Sequence, residues 1–265
     1  MPSHASFTDR EDLRGKAYAD ERHLLTRKSI YQYRRPPLAL VDEVMARLAD
    51  APGGPRVDVG CGDGAYTRAM RRQRPDATVV AIDLSPGMAR AAGAPALVAD
   101  ATRLPLPDGS CAAALALHML YHVPDPDAAV AELARVCRPG GRVVIAGNAD
   151  ADKAEFNGLW ERAALRVPGA AGRFRRDAFL SLDEVEHLAG AHFRRVRRED
   201  FTGVTVVPTA APLVDFLDST RALRGVDDAV FDAVLGHAAA EIASAIDRDG
   251  AFSFTNHIGL ITAEG

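Results

Sequence analysis

The feature that most constrains this chain lies between Arg56 and Ala146, where short apolar stretches alternate with helix-forming ones. Arg56–Gly60, Thr78–Leu84, Ala96–Ala99, Cys111–Leu117 and Arg142–Ala146 read as strands. Ala65–Gln73, a short helix opening at Pro86 behind Ser85, and Asp125–Cys137 read as helices between them. Cys111–Leu117 is apolar on both faces, as a central parallel strand must be when helices cover both sides. Strands that alternate with helices can pair only as a parallel sheet with right-handed crossovers, so the fold class is α/β.

The rhythm is looser on either side. Residues 1–35 are polar with scattered aromatics and end at Pro36-Pro37. They form an N-terminal arm, and the core starts at residue 36 and runs to 149. Residues 150–180 and 208–250 are mostly helical insertions. Residues 181–207, opened by the capping box Ser181-Leu-Asp-Glu184, and residues 251–265 supply the last strands.

Chemistry concentrates at Asp58-Val-Gly-Cys-Gly-Asp-Gly64, directly between a strand and a helix. Glycines here allow a tight turn and close approach of backbone to a ligand, and the helix N-terminus that follows favours carboxylate or anionic groups. Asp83 closes the second strand, nineteen residues after Gly64, where a carboxylate can accept from both ribose hydroxyls of a nucleoside. Asp100 closes the third strand and can accept from an adenine amino group, with the Ala101 N–H donating to the ring. All of these lie at the carboxyl ends of neighbouring strands, where open α/β sheets bind ligands. The third glycine comes one position early for a dinucleotide fingerprint, and Asp63 would repel a pyrophosphate. The loop therefore favours a cationic nucleoside over NAD or FAD. There is no phosphate loop ending in Gly-Lys-Ser/Thr.

These residues resemble the class I S-adenosylmethionine-dependent methyltransferases, in particular the small-molecule group that includes ubiquinone- and menaquinone-type enzymes. The resemblance covers about residues 55–147 and rests on Asp58–Gly64, Ala81-Ile-Asp-Leu-Ser85, Ala99-Asp-Ala101, Leu104–Ser110, Leu117–Asp125 and Arg138–Val144 in order. It implies a Rossmann-like seven-stranded, mostly parallel sheet with its last strand antiparallel. It implies that Gly60 and the backbone near Leu117 meet the methionine tail of the cofactor, S-adenosyl-L-methionine. Asp83 would hold the ribose, Leu84 and Met88 would flank the adenine, and Asp100 with Ala101 would read its edge. Asp58, Cys61, Gly62, His118 and, from the arm, Tyr31 complete the expected cofactor site. The two insertions sit where the family builds a substrate cap, and the arm, with Ser29-Ile-Tyr31 and Tyr33, resembles a lid.

Methyl transfer from a sulfonium needs alignment and exclusion of water more than acid–base chemistry. If the acceptor must lose a proton, the candidates after the fourth strand are His118, Tyr121 and His122. His257 is a further candidate, and Phe156, Trp160, Phe179 and Phe216 are candidates for an aromatic acceptor pocket. The expected partner is a small-molecule methyl acceptor. Lys plus Arg total 32 against 36 for Asp plus Glu, a formal net charge of −4; nothing global recruits nucleic acid or an anionic membrane. No zinc spacing or other metal cluster stands out. Three cysteines without a C-x-x-C pair, no apolar run of 18 residues and a polar N-terminus point to the cytoplasm. Two other readings stay open on the sequence: methyl transfer to protein or nucleic acid, and a non-catalytic protein that only binds S-adenosylmethionine.

Overall fold

The computed structural model describes residues 8–170 and 180–265. The strands are β1 (Arg34–Arg35), β2 (Arg56–Val59), β3 (Val79–Asp83), β4 (Ala96–Val98), β5 (Cys111–Leu117), β6 (Cys137–Asn148), β7 (Arg195–Val207) and β8 (Phe252–Glu264). They form one sheet in the order β1-β7-β8-β6-β5-β2-β3-β4. Strands β2 to β6 pair in parallel, and β8 lies antiparallel between β6 and β7. Seven of the strands match the expected plan. The eighth comes from the arm, where Arg34 and Arg35 pair antiparallel with Thr205 and Val204 at the sheet edge. Two arginines carry no strand signal, so this pairing is set by the partner strand and not by local preference.

Strand parity sends neighbouring residues to opposite faces of the sheet. Ala114 and Ala116 of β5 pack with Val57, Val59, Val143 and Ile145 on one face. Ala113, Leu115 and Leu117 pack with Met70, Val144 and Leu260 on the other. Helix α1 (Arg22–Ser29) lies in the arm, and helices α2 (Leu40–Arg47), α3 (Ala65–Gln73), α4 (Pro86–Ala92), α5 (Pro126–Val136) and α7 (Leu182–His192) cover the sheet. Their starts follow local chemistry: Ser85 Oγ accepts from the Gly87 and Met88 N–H groups, Asp125 from Ala128, and Ser181 forms a complete capping box with Glu184.

The insertions build a core of their own. Helices α6 (Ala154–Leu165), α8 (Ala211–Asp218) and α9 (Asp228–Asp249) bury Phe156, Trp160, Leu213, Leu217, Phe231 and Ile242 against Val207, Phe252 and Phe254 at the ends of β7 and β8. Ile30 of the arm joins this cluster. Helix α9 is long and apolar enough by composition to cross a membrane, but its apolar stripe of Phe231, Val234, Ala238 and Ile242 is buried in this cluster. Phe179, one of the expected pocket aromatics, lies outside the described residues.

Candidate active site

The carboxyl ends of β2 to β5 open into a cavity of about 450 Å³, roofed by the arm and walled by the insertions. Its floor is the glycine turn after β2. The turn is fixed by Gly60 and Cys61 N–H groups donating to Ile82 O at 2.8 and 3.1 Å. Gly60 has φ +69°, and a Cβ there would come within 2.7 Å of the Met119 side chain. Glycine is thus required both by backbone conformation and by space.

Asp83 faces this turn. Its Oδ2 accepts from Gly62 N at 3.0 Å and its Oδ1 from Ser85 N at 2.9 Å. Burial raises its pKa, and these backbone donors oppose the rise. A carboxylate offers about four acceptor positions, so it can take ribose hydroxyls in addition to these two bonds. Leu84, Met88, Asp100, Ala101, Leu117, Cys61 and Gly62 all line the same cavity, as does Tyr31 from the arm. These residues fit an adenosine with a short charged tail.

Asp58 is placed differently. It is 1% exposed and does not line the cavity. Lying between Val57 and Val59, it faces helix α3 by strand parity and accepts from Thr67 Oγ1 at 2.6 Å. Burial pushes its pKa up to about 6. Its place in this structure is beneath the turn, tying β2 to α3. Asp63, whose charge was expected to repel pyrophosphate, is ion-paired with Lys28 Nζ at 2.8 Å, so part of that charge is already balanced by the arm.

His118, Tyr121 and His122 all reach the cavity. His118 sits at φ +54°, and its N–H donates to Ala146 O at 3.0 Å. Burial, aided by the positive charge of Lys153, lowers its pKa to about 4, so the imidazole is neutral at physiological pH. Burial likewise raises the Tyr121 phenol. His122 Nε2 is 2.8 Å from the Tyr18 hydroxyl of the arm, and its ring packs edge-on to Tyr121 at 4.5 Å. His257 is turned away: its ring bonds Asp200 Oδ1 at 2.9 Å. Of the described aromatic candidates only Phe216 lines the cavity; Phe156 and Trp160 are 2% and 1% exposed and belong to the core of the insertions.

The arm supplies functional contacts that sequence reading missed. Arg10 pairs with Asp100, and Ser85 Oγ donates to Tyr18 O at 2.6 Å. Arg27 donates to Ser219 O at 2.7 Å. On the inner wall Lys153 and Arg34 line the cavity although both are buried. The contacts of Arg10, Tyr18 and Arg27 carry no local signal, because each partner lies tens to hundreds of residues away. No group of three or more His, Cys, Asp or Glu suited to a metal occurs among the described residues.

Comparison with known proteins gives the family of the chain. Residues 57–145 match the family model described as a methyltransferase domain. A demethylmenaquinone methyltransferase of Mycolicibacterium paratuberculosis is 33% identical over 182 residues, covering 62% of this chain and 78% of that one. A malonyl-[acyl-carrier protein] O-methyltransferase of Serratia marcescens is 31% identical over 146 residues, 53% of this chain and 54% of its own, so this chain spans about half of that relative. Among solved structures, a phosphoethanolamine N-methyltransferase of Haemonchus contortus, bound to phosphomonomethylethanolamine and S-adenosylhomocysteine, superposes with TM-score 0.57 at 16% identity, over 96% of this chain and 60% of that one. At that identity the likeness concerns the fold. The chain belongs to the class I S-adenosylmethionine-dependent methyltransferases. Of the two relatives above, its similarity extends further along the chain to the demethylmenaquinone methyltransferase.

Proposed function

We propose that this protein transfers the methyl group of S-adenosylmethionine to a small molecule held in the arm-covered cavity, and that residues 1–35 act as its lid and residues 150–180 and 208–250 as its substrate cap. The observation that carries this reading is the continuity of the cavity. One continuous cavity of about 450 Å³ joins Gly60, Asp83 and Asp100 to His118, Tyr121, Lys153 and Phe216. That volume is in the range of small-molecule sites. A polymer would reach it only after displacing the arm, which is anchored at Asp100, Asp63, Ser85 and His122.

When bound, S-adenosylmethionine supplies an electrophilic methyl on a sulfonium with a good leaving group. Gly60, Leu117 and the glycine turn would hold its amino-acid end, Asp83 the ribose, and Leu84, Met88 and Asp100 the adenine. His118 and Tyr121 flank the acceptor's approach. A neutral imidazole at His118 orients an acceptor by hydrogen bonding and is a weak base near neutral pH. Tyr18, Tyr31 and Lys28 of the arm keep water out. The three cysteines are unpaired and buried, which fits a reducing cytoplasm.

Incubation with methyl-labelled S-adenosylmethionine and a metabolite extract tests this reading. Label in a low-molecular-weight product is expected. Label confined to protein or nucleic acid, or no transfer by cofactor-saturated protein, would overturn it.

A further inference from the structure

Among the described residues only two non-glycine residues have positive φ: His118 at 54° and Lys153 at 56°. Both line the cavity. Non-glycine residues in the left-handed region cost energy and persist where surrounding structure fixes them, often at functional sites. Lys153 is fixed by its N–H donating to Thr255 O at 2.8 Å, immediately before helix α6.

Its side chain is unusual for a lysine, since this residue type is seldom buried unless paired. Lys153 is 8% exposed, and Nζ bonds Asp152, itself 4% exposed. The other Asp152 oxygen, Oδ1, accepts from Asn256 Nδ2 at 3.1 Å and from the His257 N–H at 2.9 Å. Asn256 is oriented by its own acceptor, Oδ1, which takes a 2.6 Å bond from Arg34 Nε. A buried relay thus runs Arg34–Asn256–Asp152–Lys153 from the sheet edge to the cavity wall. Burial opposes the charge on Lys153, but Asp152 and the nearby Tyr31 outweigh it and its pKa is raised. The ammonium stays charged beside a neutral His118. Such a fixed cation is costly to bury, and the sheet does not need it for pairing.

The other cationic side chains on the cavity, Arg10, Arg27, Lys28 and Arg34, all come from the arm. Arg10 and Lys28 pair with Asp100 and Asp63 on the cofactor side. Arg34 donates to Asn256, Pro36 O and Thr202 O, and Arg27 donates from Nη1 to Ser219 O and lies over the Tyr18 ring at 5.1 Å, its buried Nη2 having no hydrogen-bond partner. Lys153 stands on the insertion side with His118, Tyr31 and Phe216. An ammonium has three N–H donors, so it can bond a second oxyanion while Asp152 holds it in place. Resting on the methyl-transfer reading, we infer that Lys153 is the specificity-determining residue of the acceptor site and that the acceptor is bound as an oxyanion, a carboxylate or an ionised phenol or enol, against its ammonium. Asp152, Asn256 and Arg34 are the positioning residues that aim it.

The test uses the full chain saturated with S-adenosylhomocysteine and two probe pairs. Benzoate against benzamide tests the carboxylate form, and 4-nitrophenolate against nitrobenzene the phenolate form. Calorimetry should show at least one anion binding roughly tenfold or more tighter than its neutral partner, as a charge-assisted hydrogen bond provides. The colour of 4-nitrophenol should also show its ionisation favoured on binding. The charge-neutral double variant Asp152→Asn/Lys153→Met should lose the preference and keep its affinity for S-adenosylhomocysteine, whereas Lys153→Arg should keep both. Equal binding of anion and neutral partner by the unaltered protein overturns the inference, as does no binding of either anion, or a preference that survives in the double variant. These results leave the methyl-transfer reading intact as long as S-adenosylhomocysteine binds. Failure of that binding in the unaltered protein would instead count against the reading itself.

Discussion

At the scale of single residues, the carboxylates show how far a motif can be read. Asp83 was legible: it ends a strand, faces the glycine turn and has acceptor positions left for a ligand. Asp83→Asn keeps the shape and removes the charge. It should weaken S-adenosylhomocysteine binding by roughly tenfold to a hundredfold, the worth of hydrogen bonds to a charged group; an unchanged dissociation constant by calorimetry would contradict the ribose assignment. Asp58 was read as a ligand residue from the same motif, yet strand parity turns it to Thr67. His118 makes a sharper prediction. Burial lowers its folded pKa to about 4, below the ordinary 6.5, so the unfolded chain takes up the proton first. Stability due to neutral His118 is therefore complete above about pH 6.5 and is lost as pH falls toward 4. Asp58, raised to about 6 by burial, acts in the opposite sense below pH 6. A titration of the His118 ring by NMR should show no protonation between pH 6 and 8, and a midpoint near 6.5 would contradict the burial. His118→Ala should slow turnover about tenfold or more with little change in cofactor affinity; unchanged turnover would remove it from the site's chemistry.

At the scale of elements, the β–α alternation was legible because its signals are local: apolar runs, the Ser85 and Ser181 caps, and Pro86 at a helix start. The arm was legible only as a polar stretch with aromatics. Its contacts join Tyr18 to His122 and Arg10 to Asp100, and no spacing rule links residues so far apart. Lys153 was hidden for a related reason, since the groups that hold its neighbour Asp152, the Asn256 amide and the His257 N–H, come from β8. Gly87 gives a clean test of the arm. It sits in the first turn of α4, where alanine is a better helix former, yet a Cβ there would collide with the carbonyl oxygen of Ala19. Gly87→Ala should leave the thermal transition of the core nearly unchanged while making the arm more sensitive to protease and S-adenosylhomocysteine binding weaker. A protease pattern and affinity identical to the unaltered protein would show that the arm does not contribute to the cofactor site.

At the scale of the whole molecule, two packed bodies meet at one cavity. The sheet and its helices supply the residues proposed to hold the cofactor on one side. The insertions, with their own aromatic core, supply Lys153 and Phe216 on the other. The motifs that carry the family resemblance lie in the first body, over about residues 55–147, whereas the sequence of the second showed mostly helices. Methyl transfer in this molecule depends on the first body gripping a sulfur nucleoside through Gly60, Asp83 and Asp100. The most direct measurement is a calorimetric titration of the purified protein with S-adenosylhomocysteine, with NAD and a flavin as parallel titrants. Saturable binding at one site per chain, with no heat from the dinucleotides, is the predicted result; saturable binding of NAD or flavin with none of S-adenosylhomocysteine would contradict it.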